Sequence, residues 1–394
     1  MKSMLSDILV VDVTRHLAGP FCTMILCDMG ANVIKVEIPP EGDDTRTAGP
    51  FIQGESGYFL SVNRGKKGII LNLKTEEGTE IFRRLIEKGD VLVESYRPGV
   101  MERLGFGYDE VVKINPRIIY ASLSGFGQYG PYKEEGAYDL VIQGYGGTMS
   151  ITGNPGGEPV RVGYSIGDLA GSLYTAIGIL GALHVRDQTG KGQYLDIAML
   201  DCQVALLENA LIRYTTTGKI PQPIGTRHPA LAPFQAFKAK DGYFLVCAPH
   251  DRQFKPLCET LGIGELIEDH RFATNAMRVE NVEELNIILN EIFKEKPKGY
   301  WIELLEKAGV PTGPINNVKE VVDCPQVKAR EMIVEVEHPI AGKMKMAGCP
   351  IKASFTPCSP QGPAPILGQD TESVLKALGY TEDEVGYFRR KGIV

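Results

Sequence analysis

Four short apolar runs set the fold of this 394-residue chain: ILVVDV at 8–13, NVIKVE at 32–37, DVLVES at 90–95 and RIIYASLS at 117–124. Segments with helical character lie between them at 19–29, 76–88 and 109–114. Strands that alternate with helices pair parallel, because each crossover needs a helix's length of chain to return. The order predicts an α/β fold, a parallel sheet with helices on both faces. From about residue 200 the pattern changes. A long helix is expected through 201–217, and GKIPQPIGTRHPALAP then reads as a linker. FQAFKAKDGYFLVCA reads as a hairpin turning at Asp241-Gly242, followed by helices near 251–261, 281–295 and 298–308, a separate α+β unit. Proline- and glycine-rich sequence returns over 337–368, and one amphipathic helix is expected to close the chain.

At this length two domains are expected. Apolar residues at 43% and charged residues at 23% are the balance of a globular protein. The net charge of −7 argues against a nucleic-acid partner, whose footprint would be basic, so an anionic ligand must be met by a local cluster of cations. The eight cysteines form no C-x-x-C pair and have no histidine at ligand spacing, so neither a zinc site nor a disulfide framework is implied. Reduced thiols fit a reducing compartment. The start, MKSMLSDILVVDV, lacks the regions of a signal peptide, and no stretch approaches eighteen consecutive apolar residues. A soluble, cytoplasmic protein without a membrane partner is expected.

Within VRVGYSIGDLAGSLYTAIGILGALHVRDQTGKGQ, a single carboxylate, Asp168, stands at the mouth of an apolar segment among glycines. Leu169, Leu173, Ile177, Leu180 and His184 recur at three- or four-residue steps, which predicts a buried helix starting near Asp168. The partial positive charge of a helix N-terminus would keep that carboxylate ionised at neutral pH. By spacing alone, Asp168 is either an N-cap or a nucleophile.

Gly125-Phe126-Gly127-Gln128-Tyr129-Gly130 satisfies G-x-G-x-x-G and follows a strand. The next residues, Pro131 to Gly136, are a polar loop, so no helix N-terminus follows to hold a pyrophosphate. The motif reads as a glycine-rich turn that lets backbones approach closely, not as a dinucleotide site.

Six blocks in order, VVDVTRHLAGPFCTMILCDMGANVIKVE, NRGKKGIILNLKTEEG, ESYRPGVMERLGFGYDEV, INPRIIYASLSGFGQYGPY, GDLAGS and TGKGQYLDIAMLD, resemble the class III CoA-transferases of CaiB/BaiF type. The closing PAPILGQDTESVLKALGYTEDEV extends the match. The resemblance implies a Rossmann-like large domain over 1–200 and 369–394, and a helix and linker over 201–232. It implies a small α+β domain over 233–336 and a return linker over 337–368. The two long linkers would make each subunit an open ring, and two rings would interlock as a homodimer.

The same resemblance makes Asp168 the covalent nucleophile and brings Asp139 near it as a supporting acid. It places coenzyme A against His16, Leu17 and Ala18, Leu71, Asn72, Leu73 and Lys74, Ser95, Tyr96 and Arg97, Arg103, and Glu135, Gly136, Ala137 and Tyr138. Lys66 and Lys67 are further candidates for the phosphates. Two departures stand out: Ile38-Pro39-Pro40 where some relatives carry an arginine, and Gly136 where some carry a lysine. Arg227 and His228 are candidates for binding a substrate's remote carboxylate. The glycine-rich stretch 144–157 is a candidate lid, or else a surface loop.

The implied activity moves CoA from an acyl-CoA donor to a carboxylic acid acceptor, with small dicarboxylic acids such as succinate as substrates. The CoA thioester is then a substrate, and no tightly bound cofactor or metal is called for. Alternatives are formyl-CoA/oxalate-type or carnitine-type transfer, α-methylacyl-CoA racemisation, and non-catalytic acyl-CoA binding. A racemase needs a second base on the opposite face; its histidine in relatives is Tyr138 here, a poor base at neutral pH. The absence of a glycine-rich run with glutamine between 218 and 260 weighs against the formyl-CoA/oxalate type.

Overall fold

The computed structural model describes residues 3–394. Its central sheet has six parallel strands, β1 (Leu9–Asp12), β2 (Asn32–Glu37), β3 (Lys67–Ile70), β4 (Val91–Glu94), β5 (Ile119–Ser124) and β6 (Gln193–Ala198). They run in the order β3-β2-β1-β4-β5-β6. The four expected strands are present. β3 and β6 went unread because KGII is only four residues long and QYLDIA, half-buried at one edge, carries polar residues among its apolar ones.

Successive strand residues point to opposite faces and feed two cores. Val11, Ile34 and Leu92 pack under helix α1 (Glu76–Lys88), whose Thr75 caps its N-terminus by accepting the Gly78 N–H. Val10, Val33 and Val91 pack on the other face, under a long helix, α2 (Ile166–Thr189), and the helix over Ala18–Asp28.

Helix α2 begins where expected but buries a different face. Leu173 and Ile177 are 51% and 63% exposed, and His184 is exposed. The face against the sheet is Ala170, Gly171, Thr175, Ala176, Ile179 and Leu183. Small side chains let the helix approach the strands closely: a Cβ on Gly171 would lie 3.0 Å from Leu123. At Leu173, Ile177 and His184 the apolar periodicity therefore marked the outer stripe, while Leu180 packs against the core. By length and composition α2 could cross a bilayer, but here half of its apolar window is packed inside the protein.

The chain divides into two compact units, one holding the chain up to Met149, Arg161–Thr216 and Gln326–Val394, the other Ser150–Val160 and Thr217–Pro325. The expected helix over 201–217 is two helices, Met199–Leu206 and Asn209–Thr217, because Glu208 takes a left-handed φ of 45°. The segment 337–368 is not linker throughout. Its first part completes a hairpin, Ile333–His338 with Gly342–Ala347, that belongs with the first unit. The closing helix is likewise two, Thr371–Ala377 and Glu382–Arg390, separated at Gly379 (φ 94°) and restarted by a Thr381/Glu384 capping box. These last residues return to the sheet edge, where Asp370 bonds Gly68 and the Ile393 carbonyl accepts the Asn72 N–H.

The second unit is a three-stranded antiparallel sheet, Phe234–Ala239, Gly242–Cys247 and Thr312–Pro314, covered by helices Asp251–Leu261, Val282–Phe293 and Lys298–Lys307. Its core is built on Phe237, Phe244, Phe293 and Trp301. Arg278, fully buried, donates to the carbonyls of Ala232, Pro249 and Phe272. All eight cysteines are free.

Candidate active site

In an open parallel sheet the crevice for ligands lies beyond the carboxyl ends of the strands, where the strand order reverses. Here that point is between β1 and β4. A cavity of about 330 Å³ opens there. Arg15, His16 and Ala18 line it from the β1 turn, Ser95 to Pro98 from the β4 turn, and Ser124 to Phe126, Lys133 and Glu135 to Tyr138 from the loop after β5. Leu123, Asp168 and Met199 complete it.

Asp168 is the third residue of α2, and Ser165 occupies the N-cap position. No hydrogen bond or ion pair within 4.0 Å reaches its carboxylate among the described residues. The helix end does not hold its charge as expected. The Gly167 N–H is donated to Asp139 at 2.8 Å and the Ile166 N–H to the Tyr164 carbonyl, so donors at this helix end are already engaged. Burial then pushes the Asp168 carboxyl up to about 7; the Asp139 charge adds to the rise and Arg161 opposes it. Tyr58 is close enough for Asp168 to raise its phenol further, beyond what burial does.

Asp139 opens a helix over Asp139–Tyr145 that grips the approach to α2. Besides Gly167, its carboxylate accepts from Gln143 Nε2 at 2.7 Å, and Gln143 Oε1 accepts the Val162 N–H at 2.9 Å. Asp139 thus sets the first turn of α2 and contributes charge beside the Asp168 carboxyl.

The turn bearing His16 is held from beneath by buried ions. Lys35 donates to the Thr14 carbonyl and pairs with Asp43 at 2.9 Å. Asp43 in turn accepts the His16 N–H, at a residue whose φ of 66° is left-handed. Burial alone would raise Asp12, but Lys66 and Lys35 hold its carboxyl well below the usual range. Lys66 is therefore no phosphate ligand: it is buried, paired with Asp12 at 3.0 Å and bonded to the Pro20 carbonyl and Asn63. Its sequence position beside Lys67, which is exposed, gave no sign of this difference.

Of the residues carried over from the resemblance, the cavity brings together His16, Ala18, Ser95, Tyr96, Arg97, Glu135, Gly136, Ala137, Tyr138 and Asp168. Leu17, Arg103 and Leu71 to Lys74 do not line it; the Leu71 and Leu73 side chains are in the core. A Cβ on Gly136 would lie 2.9 Å from Arg97 Nη2, so a guanidinium occupies the space above the glycine. The G-x-G-x-x-G turn behaves as read: Gly125 lies against Ala137, and the chain stays non-helical until Asp139.

Sequence reasoning passed over Arg15, Lys133, Tyr58 and Arg161. The first two are cations in turns that follow strands, a signal present in the sequence; the last two come near Asp168 only through folding. The stretch 144–157 crosses between units, and its Gly153 carbonyl accepts the Gly225 N–H. Arg227 lies in the second unit and is not an unpaired cation: Glu283 holds it at 2.5 Å. His228 Nδ1 accepts the Ala230 N–H, and its ring packs on Phe234.

The profile of CoA-transferase family III matches residues 5–371. An acetyl-CoA:oxalate CoA-transferase of Acetobacter aceti is 46% identical over 90% of this chain and 90% of its own. The human succinyl-CoA:glutarate CoA-transferase is 43% identical over 99% of this chain and 90% of its own. The crystal structure of a CaiB/BaiF family protein from Brucella suis superposes with a TM-score of 0.85 at 41% identity, covering 96% of this chain and all of that one. The chain belongs to CoA-transferase family III and is a CoA-transferase.

Proposed function

We propose that the protein transfers CoA from an acyl-CoA thioester to a small dicarboxylic acid through covalent intermediates on Asp168. The observation that carries this is the Asp168 carboxylate itself: unpaired, largely buried and facing a cavity rimmed by Arg15, Arg97 and Lys133. A structural aspartate so buried would be paired.

Asp168 attacks the donor thioester carbonyl, giving a mixed anhydride and CoA thiolate. The thiolate attacks the Asp168 carbonyl, giving an aspartyl-CoA thioester and the free donor acid. The acceptor carboxylate attacks that thioester, expelling the thiolate and forming a second anhydride. The thiolate then takes the acyl group and restores Asp168. Each step exchanges acyl groups between oxygen and sulfur, so neither ATP nor a resident cofactor enters the balance. Of the cavity's cations, Arg15 is paired with Asp44 at 2.6 Å, and Arg97 and Lys133 suit the thiolate and the oxyanions that form.

Succinate and glutarate are the substrates this reading favours, since the human relative and a succinate–glutarate CoA-transferase of Agrobacterium fabrum, 39% identical, carry these acids in their names. Oxalate is the second reading, favoured by the Acetobacter relative. We further assign a homodimer, interlocked as the family resemblance implies, in a cytoplasmic setting with no membrane or nucleic-acid partner. The exposed apolar stripe of α2 supports a buried interface there.

Hydroxylamine added with an acyl-CoA should convert Asp168 to a hydroxamate, seen as a mass shift on its peptide, and Asp168→Ala should abolish transfer. A hydroxamate on another carboxylate, or an active Asp168→Ala protein, overturns the mechanism.

A further inference from the structure

We infer that Arg161 is the binding group for the acceptor acid's remote carboxylate, the one that is not acylated; the inference rests on the transferase reading above. Arg161 lies seven residues before Asp168, on the segment gripped by the helix that begins at Asp139. Its main chain is fixed on the next residue, where the Val162 N–H is held by Gln143. Its side chain is 48% exposed. Its Nε donates to the neighbouring Val162 carbonyl at 3.1 Å, which orients the guanidinium plane without using the Nη groups.

The nearest acid does not consume those groups. Asp139 Oδ2 stands 3.8 Å from Arg161 Nη2, beyond hydrogen-bond length. Both oxygens of Asp139 are already satisfied, Oδ1 by Gly167 and Oδ2 by Gln143. The Nη donors of Arg161 therefore remain available to an incoming carboxylate in the forked geometry that arginine and carboxylate share. Arg227 is held by Glu283 and lacks this availability.

Place and charge agree. Arg161 is not part of the lining of the cavity that receives the thioester, yet its charge is felt at Asp168. A carboxylate bound to it would stand next to Asp139, which holds the Gly167 N–H one residue before Asp168, and outside the cavity that receives CoA. The guanidinium thus favours acids with a second carboxylate.

The test compares glutarate with pentanoate, and succinate with butyrate, as acceptors for the wild-type protein, Arg161→Gln and Arg161→Lys. In Arg161→Gln the preference for the dicarboxylic acid should fall at least about tenfold, mainly through the acceptor KM, because a charge-assisted bidentate contact is lost. Arg161→Lys should recover part of it. Hydroxamate formation on Asp168 from acyl-CoA and hydroxylamine should persist in both variants, which shows them folded and able to acylate. Retained preference in Arg161→Gln, equal loss for both acid types, or loss of the hydroxamate overturns the assignment. Failure of the wild-type protein to form any hydroxamate on Asp168 would instead overturn the transferase reading.

Discussion

At the scale of single residues, the proposed chemistry turns on a carboxyl whose surroundings oppose its ionisation. Burial and the Asp139 charge bring Asp168 to about 7, so near neutrality an appreciable share of it is protonated. In the proposed mechanism only the ionised form attacks the thioester. Below about 7, kcat/KM for the acyl-CoA should therefore fall about tenfold per pH unit, and above it should level off. Replacing Asp139 with asparagine removes a charge that raises Asp168, so this acid limb should move to lower pH. A limb near the ordinary aspartate value in the wild-type protein, or no movement in Asp139→Asn, would show that the two carboxyls are not coupled. Arg97 illustrates a second residue-scale rule: the space that a side chain at position 136 would take is occupied by a cation from the β4 turn.

At the scale of elements, the site is three turns held over the ends of β1, β4 and β5, and two of them are tied down by groups buried beneath. The β1 turn rests on Asp12, Lys35, Asp43 and Lys66, whose side chains are almost wholly excluded from water. In the β4 turn the Tyr96 N–H is accepted by Glu94, a carboxyl that burial pushes up to about 7. Removing one partner from such a network leaves a charge buried and unpaired. Lys66→Met should accordingly cost about 3–5 kcal/mol of stability in denaturant unfolding. Had Lys66 been a phosphate ligand, the same change would raise the KM for acyl-CoA and leave stability alone, so the two measurements together decide its role.

At the scale of the whole molecule, the outward stripe of α2 is the largest departure from what the periodicity suggested. Leu173 and Ile177 present apolar surface that a second copy would cover in the proposed homodimer. Leu173→Asp with Ile177→Asp should yield monomer or aggregate in sedimentation velocity, whereas two differently tagged wild-type dimers should form no hybrids over hours if the subunits interlock. An unaltered dimer from the double variant would place the interface elsewhere.

The sequence by itself determined the sheet's interior strands, the helix over 76–88, the hairpin around Asp241-Gly242, whose two turn residues are Lys240 and Asp241, and the position of Asp168 at a helix start, because each is a local pattern of apolar spacing, caps or turn residues. The family was legible too, from motif order. Only the tertiary structure decided which lysine of Lys66 and Lys67 is buried, which face of α2 meets the sheet, that Arg227 is engaged by Glu283, and that Arg161 stands near Asp168. These depend on what approaches a side chain from distant parts of the chain. Ionisation of a carboxyl follows the same rule, since burial and charges from other elements outweigh the helix end on which the residue sits.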